Sequence, residues 1–241
     1  MVGRAPRTQT RRAAADQGDA GPALVLDGVA KSFERGNQTV RAVTGFDLEV
    51  HPGQMVALTG PSGAGKSTVL HLAAGLLRPD RGRVVLSGQD LARLSDRQAA
   101  AVRRRHVGFV FQFFHLLPTL TVLENAALPL LLDNRPDALA RATELLDAVG
   151  LSRLRSALPS QLAGGELQRV AVVRAMVAGP AVVLADEPTG SLDSASGRAV
   201  LDLLTDRARR SQSALLVATH DPAVAERADS VLTMHDGRLR R

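Results

Sequence analysis

The chain has 241 residues, 45% of them hydrophobic, a formal net charge of +6 and no cysteine. That length buries a full core as one large domain, or a core with one inserted subdomain. The lack of cysteine excludes disulfides, thiolate metal sites and a cysteine nucleophile, and is compatible with a reducing compartment. The six histidines are scattered without metal-ligand spacing, and arginine carries nearly all the positive charge because Lys31 and Lys66 are the only lysines. No nucleic-acid motif accompanies that charge, so it reads as a solvated arginine-rich surface.

In chain order, residues 1–22 are basic without an apolar run, which reads as a disordered tail rather than a secretory signal. From Leu24 to Val50 apolar and polar residues alternate between glycine breaks, predicting an antiparallel β layer. Within it Phe33 is one of two aromatics ahead of residue 60, and the chain has no Tyr or Trp. It is a candidate for stacking on a purine, worth ~1–3 kcal/mol per base, with core packing as the alternative. Met55 to Thr59 is a short apolar run of the parallel-sheet kind. It leads into Gly60-Pro61-Ser62-Gly63-Ala64-Gly65-Lys66-Ser67-Thr68. Strand before, helix after and this spacing define a phosphate loop. Its glycines turn backbone N–H groups toward phosphates, Lys66 reaches the β- and γ-oxygens, and the Ser67 hydroxyl suits Mg²⁺. A helical pattern from Ser67 to Leu77 follows.

Val107 to Phe111 is the second strand. Gln112 lies in Phe109-Val110-Phe111-Gln112-Phe113-Phe114, a run with four of the six phenylalanines. A buried strand explains its apolar part, but a glutamine followed by Phe113, Phe114, Leu116 and Leu117 fits a partner-binding groove better. A helical insertion comes next. Thr121 with Glu124 makes a capping box, and Leu139, Ala142, Leu145, Leu146 and Val149 share one apolar face ending at Gly150. The longest apolar stretch, Ala126 to Leu132, is broken by Pro129 and falls far short of the ~20 residues of a spanning helix.

Leu162-Ala163-Gly164-Gly165-Glu166 opens another helical pattern whose glycine pair makes a second anion-binding helix N-terminus. Two phosphate-binding ends in one chain suggest that two copies share each nucleotide. Ala181 to Ala185 is the third strand, and Asp186 and Glu187 at its end project in opposite directions. Asp186 is suited to the Mg²⁺ shell and Glu187 to polarising an attacking water. After a helix at Ser196 to Arg209 and a strand at Ala214 to Ala218, His220 emerges at the same sheet edge, in reach of a γ-phosphate. Val231 to Leu239 around Asp236-Gly237 closes the chain as a hairpin. The βα alternation specifies an α/β core.

From about Leu24 onward these motifs resemble the ATP-binding subunits of ABC transporters. Phe33 stands at the adenine loop, Gly60 to Thr68 at Walker A, Gln112 at the Q-loop and Leu162 to Glu166 at the signature. Asp186-Glu187 stands at Walker B, Ser191-Leu192-Asp193 at the D-loop and His220 at the switch histidine. The resemblance implies one domain over residues 23–241: a P-loop NTPase (RecA-like) core with an antiparallel β subdomain and an inserted α-helical subdomain at roughly 113–165. It implies ATP and Mg²⁺, the metal held by Ser67, Gln112 and Asp186. Glu187, His220 and Gln112 would act in catalysis, and Ala163, Gly164, Gly165, Glu166 and Asp193 would meet the nucleotide. The implied partners are a second ATPase subunit, the same chain or a different one, and an integral-membrane permease; no nucleic acid is implied. The implied location is cytoplasmic, on the inner face of the plasma membrane.

Finer features, namely Phe111-Gln112, Leu116 to Asn125, Gly164-Gly165-Glu166 and Asp186 to Gly190, look like the lipoprotein-release and macrolide-exporter branch, the LolD, MacB and FtsE types. Two other readings compete: a soluble ABC ATPase of DNA repair or the ribosome, and a regulatory module that binds ATP without turnover. The signature departs from the usual pattern at Ala163, where serine is expected. The missing hydroxyl removes a helix cap of ~1 kcal/mol and a charged hydrogen bond of ~1.5–3 kcal/mol, predicting weaker but not absent closure.

Overall fold

Val182 to Ala185 and Ala214 to Ala218 are buried on both faces, which is what unbroken apolar runs require of central parallel strands. The computed structural model describes residues 21–36 and 38–240; the basic segment read as a tail lies outside the described residues up to residue 20. Two sheets form. An antiparallel one is built from β1 (Leu24–Arg35), β2 (Gln38–Val50), β4 (Arg81–Leu86) and β5 (Gln89–Asp90), ordered β2-β1-β4-β5. The second contains β3 (Met55–Thr59), β6 (Val107–Val110), β7 (Val182–Asp186), β8 (Ala214–Ala218), β9 (Ser230–His235) and β10 (Arg238–Arg240), ordered β10-β9-β3-β8-β7-β6. Neighbours from β9 to β6 pair in parallel, and only β10 runs antiparallel.

Helices α1 (Lys66–Ala73), α2 (Asp96–His106), α3 (Val122–Leu131), α4 (Ala138–Ala148), α5 (Gly164–Met176), α6 (Ser194–Arg210) and α7 (Pro222–Ala225) fill the connections. Period-two alternation in β7 distributes its side chains to two cores. Val182 and Leu184 join Leu70 and Leu72 of α1 and Leu24 and Phe46 of the antiparallel layer. Val183 and Ala185 join Val200 and Leu204 of α6 and Val172 of α5. A third core holds α3, α4 and the other face of α5, through Val122, Leu130, Ala142, Leu146, Val170 and Val173. The helical subdomain is therefore sealed by α5, which extends past residue 165 and serves both halves.

Most predicted elements form within one or two residues of their expected bounds. Helix α1 is the exception, ending at Ala73 rather than Leu77. Gly75 adopts φ 65°, and Leu76 and Leu77 both donate to the His71 carbonyl, a helix stop that glycine permits. The predicted capping box is present: Thr121 Oγ1 accepts from Glu124 N, and Glu124 Oε2 from Thr121 N at 2.8 Å.

Asn125, a polar residue on the apolar helix α3, is fully buried. Its amide donates to the carbonyls of Leu117, Leu120 and Thr121, and its Oδ1 accepts from Leu117 N at 2.8 Å. It thereby pins the loop ahead of α3. Asn125→Ala, which strands these groups, is expected to cost about 3 kcal/mol in urea unfolding; a loss below about 0.5 kcal/mol would show that water replaces the side chain.

Candidate functional site

Parallel pairing delivers the loops after β3, β8, β7 and β6 to one edge of the sheet, where α/β folds bind ligands. The phosphate loop follows β3, His220 follows β8, Asp186 ends β7 with Glu187 just beyond it, and Gln112 follows β6.

The loop's shape depends on close backbone approach. A Cβ at Gly60 would sit 2.2 Å from the Met234 carbonyl oxygen, and one at Gly65 2.2 Å from that of Ala42. Gly60, Gly63 and Gly65 adopt φ of 142°, 78° and 100°, a region where other residues are strained. The closing hairpin supports the loop from outside, since Gly237 N donates to the Ala64 carbonyl and Thr44 N to that of Gly237. Pro61 and Ser62 lie exposed at its crown. No acceptor among the described residues meets the N–H groups of Gly63, Gly65, Lys66 and Ser67, and Gly65 caps α1 without a side chain. These donors and the helix dipole make an anion cradle. Lys66 is buried, and its ammonium donates to the carbonyls of Gly60 (2.7 Å) and Pro61 (3.1 Å). Thr68 is half-buried on the first turn of α1, beside exposed Ser67.

The carboxylates of Asp186 and Glu187 diverge as expected, although Glu187 stands one residue past β7. Burial pushes the Asp186 carboxyl above the ordinary value, with Glu187 adding to the rise and Ser67, His71 and Lys66 opposing it. Glu187 adopts φ 46° and turns the other way, its Oε1 2.9 Å from His220 Nδ1 and its Oε2 accepting from His220 N at 3.3 Å. A non-glycine residue at positive φ is a strained position of the kind concentrated at working sites. Glu187 and His220 line a hollow of about 340 Å³ with Thr189, Gly190, Asp221 and Pro222. Gln112 adjoins it: a side chain at Gly190 would stand 3.3 Å from the Gln112 amide nitrogen.

Ser67, Asp186 and Gln112 offer oxygen donors, and the described residues contain no cluster of three or more His, Cys, Asp or Glu fit to hold a metal unaided. That donor set suits Mg²⁺, which keeps few protein ligands and completes its shell with phosphate oxygens and water.

The second anion site lies elsewhere. Ala163 caps α5 without a side-chain acceptor, while Glu166 Oε2 accepts from Ala163 N at 2.8 Å, so half of a capping box survives. Gly164 faces Leu192 and Phe114, and Gly165 packs beside Ser196. Asp193 is committed as the cap of α6, accepting from Ala195 N and Ser196 N at 3.0 Å; the Ser196 bond foremost holds its carboxyl below the usual range.

Phe33 is 39% exposed, which sets aside the core-packing alternative. The apolar group around Gln112 divides instead of forming one groove. Phe113 and Leu117 are exposed at 68% and 45%, whereas Leu116 packs into the helical core. Phe111 stacks on Phe109 at 4.1 Å and lines a separate hollow of about 230 Å³ with His115, Arg104 and Arg174. Two positioning residues escaped the sequence reading. Gln168 is buried and donates to the carbonyls of Phe111 and Pro188, joining the Gln112 strand to the Asp186-Glu187 loop. Arg174 donates to the carbonyls of Phe114 and His115, both at positive φ. Polar residues bracketing the apolar run Val170 to Val173 were the available signal.

Residues 43–190 match the family model described as ABC transporter. The chain is 44% identical over 218 residues to "Lipoprotein-releasing system ATP-binding protein LolD" of Shewanella oneidensis, covering 90% of this chain and 95% of that protein. It is 45% identical over 223 residues to the protein of the same name from Bordetella pertussis, covering 92% and 96%. The solved "Dimeric Structure of MJ0796, a Bacterial ABC Transporter Cassette" matches with a TM-score of 0.84 at 36% identity, covering 90% of this chain and 97% of that one. A post-hydrolysis MJ0796 structure bound to ADP and Pi matches equally. The chain belongs to the ABC transporter family, as an ATP-hydrolysing cassette subunit of the LolD type.

The raised Asp186 carboxyl carries a stability consequence. Its ionised form is disfavoured in the folded state, so the penalty is present at neutral pH and vanishes as pH falls to where Asp186 is protonated both folded and unfolded. Asp186→Asn is expected to stabilise the nucleotide-free protein at pH 7 by about 1 kcal/mol, or about 2–4 °C in Tm, with the gain shrinking toward pH 4. A lowered Tm at pH 7 would refute this.

Proposed function

We propose that this chain powers lipoprotein release: two copies close head to tail on two ATP molecules and drive an integral-membrane permease with few spanning helices and large extracytoplasmic domains. What supports this is the convergence of the phosphate loop, Asp186, the Glu187–His220 pair and Gln112 on one sheet edge, in a chain 44–45% identical to proteins named LolD. The glycine-headed start of α5 packs against the α6 side, by Leu192 and Ser196, and not against its own phosphate loop, whose neighbours are Ala42 and Met234. A second copy would bring its α5 N-terminus to the γ-phosphate held by the first.

In this reading Lys66 exchanges the carbonyls of Gly60 and Pro61 for phosphate oxygens, gaining charge-assisted bonds. Bound Mg²⁺, held by Ser67, Asp186 and Gln112, would neutralise charge on the phosphates. Glu187 accepts a proton from the water that attacks the γ-phosphorus while the bond to ADP breaks. His220 orients that carboxylate through its ring and backbone N–H. Closure onto Ala163 is weak for want of the hydroxyl, and the N–H groups of Gly164 and Gly165 carry the contact. No helix among the described residues is long and apolar enough to cross a membrane, so attachment to the cytoplasmic face would run through the permease.

Glu187→Gln preserves shape while removing the base, and should cut turnover at least about 100-fold with ATP binding intact. An ATP-bound dimer should accumulate in size-exclusion chromatography; wild-type hydrolysis by the variant would end this assignment. Exposed Phe113 and Leu117 are the proposed permease contacts. Replacing both by Ala should abolish co-purification with the permease and leave ATP affinity of the isolated subunit unchanged, and undiminished co-purification would move the contact elsewhere.

A further inference from the structure

Beyond Ala30, strand β1 has no strand partner on the β4 side among the described residues. The ladder between them runs from Leu24↔Leu86 to Ala30↔Arg81, with a register shift between Asp27 and Ala30. On its other side β1 pairs with β2 through further shifts on either side of Lys31. Such bulges re-aim side chains and leave backbone groups without ladder partners. Asp80 fills the gap. Its Oδ2 accepts from Ser32 N at 2.7 Å, where a strand carbonyl would stand, and its Oδ1 accepts from Lys31 Nζ at 2.7 Å. Asp80 N donates in turn to the Ala30 carbonyl. Gly82 permits the approach: its φ is 79°, and a Cβ there would lie 2.4 Å from the Asp27 carbonyl oxygen.

The tethered residues flank the aromatic ring. Lys31 and Phe33 are two apart on an extended strand and so share a face. The Lys31 ammonium lies 5.9 Å from the Phe33 ring centroid, within cation–π range. Lys31 is mostly covered, with its side chain 18% exposed, while the ring remains open. Asp80 holds Lys31, Lys31 sits over Phe33, and the Ser32 backbone between them is fixed to the same carboxylate.

We propose that Asp80 and Lys31 are positioning residues for recognition of the adenine base: they fix the Phe33 ring as its stacking platform. This rests on the reading of Phe33 as the adenine contact and adds the device that orients it. Phosphates are gripped by the loop after β3 whatever base they carry, so the device acts on base-bearing ligands alone.

Mg²⁺-dependent affinities of the full chain for ATP and for inorganic tripolyphosphate separate the two contributions. Lys31→Met and Asp80→Ala should each weaken ATP about threefold and leave tripolyphosphate unchanged. Lys31→Arg, which keeps a cation for the ring and the carboxylate, should retain most of the affinity. Phe33→Ala should weaken ATP about tenfold, again without affecting tripolyphosphate, and Lys31→Met added to Phe33→Ala should weaken it no further. Equal losses for both ligands, no loss, or a full additional loss in the Phe33→Ala background would overturn the positioning role. Should Phe33→Ala leave the ratio of the two affinities unchanged, the adenine reading itself fails, a result distinct from failure of Asp80 and Lys31 alone. Lys31→Met does not disturb the Ser32 N–H bond, so it decides the matter even if Asp80→Ala unfolds.

Discussion

Parallel pairing of β3, β8, β7 and β6 is the constraint on which the site depends, because it sends four sequence-distant loops to one edge. Such pairing survives only with both faces covered, since its strands are apolar throughout. The antiparallel layer and α1 cover one face, and α5 and α6 the other. Loss of either cover would expose the strands and release the loops together.

The working residues sit where the fold is least comfortable. Glu187 holds a positive φ, Asp186 keeps a carboxyl that burial disfavours, and Gly60 and Gly65 occupy spaces too tight for a Cβ. Buried strands pack around all of them and supply the stability that these positions cost.

Helix α5 carries the connection between the two halves. Its N-terminus is the second anion site, its middle packs into both cores, and two of its polar residues hold loops. Gln168 reaches the strand end before Gln112 and the loop after Glu187, while Arg174 holds the strained carbonyls at Phe114 and His115. A shift of α5 would thus reach both the candidate catalytic edge and the segment that leads to Phe113 and Leu117.

Local chemistry was legible in the residues themselves: the Gly60 to Thr68 loop, the apolar runs of β3, β7 and β8, the Thr121 box and the Asp236-Gly237 turn each depend on neighbours in sequence. The early end of α1 depended on reading Gly75 as a stop, a choice between local signals. What tertiary structure alone decided was which distant groups meet. The pairing of His220 with Glu187, the capture of Ser32 and Lys31 by Asp80, the burial of Asn125, and the separation of Phe111 from exposed Phe113 all join or divide residues through packing of separate elements. Spacing along a chain records period and turn, and carries no term for which buried donor will find which acceptor once the sheets close.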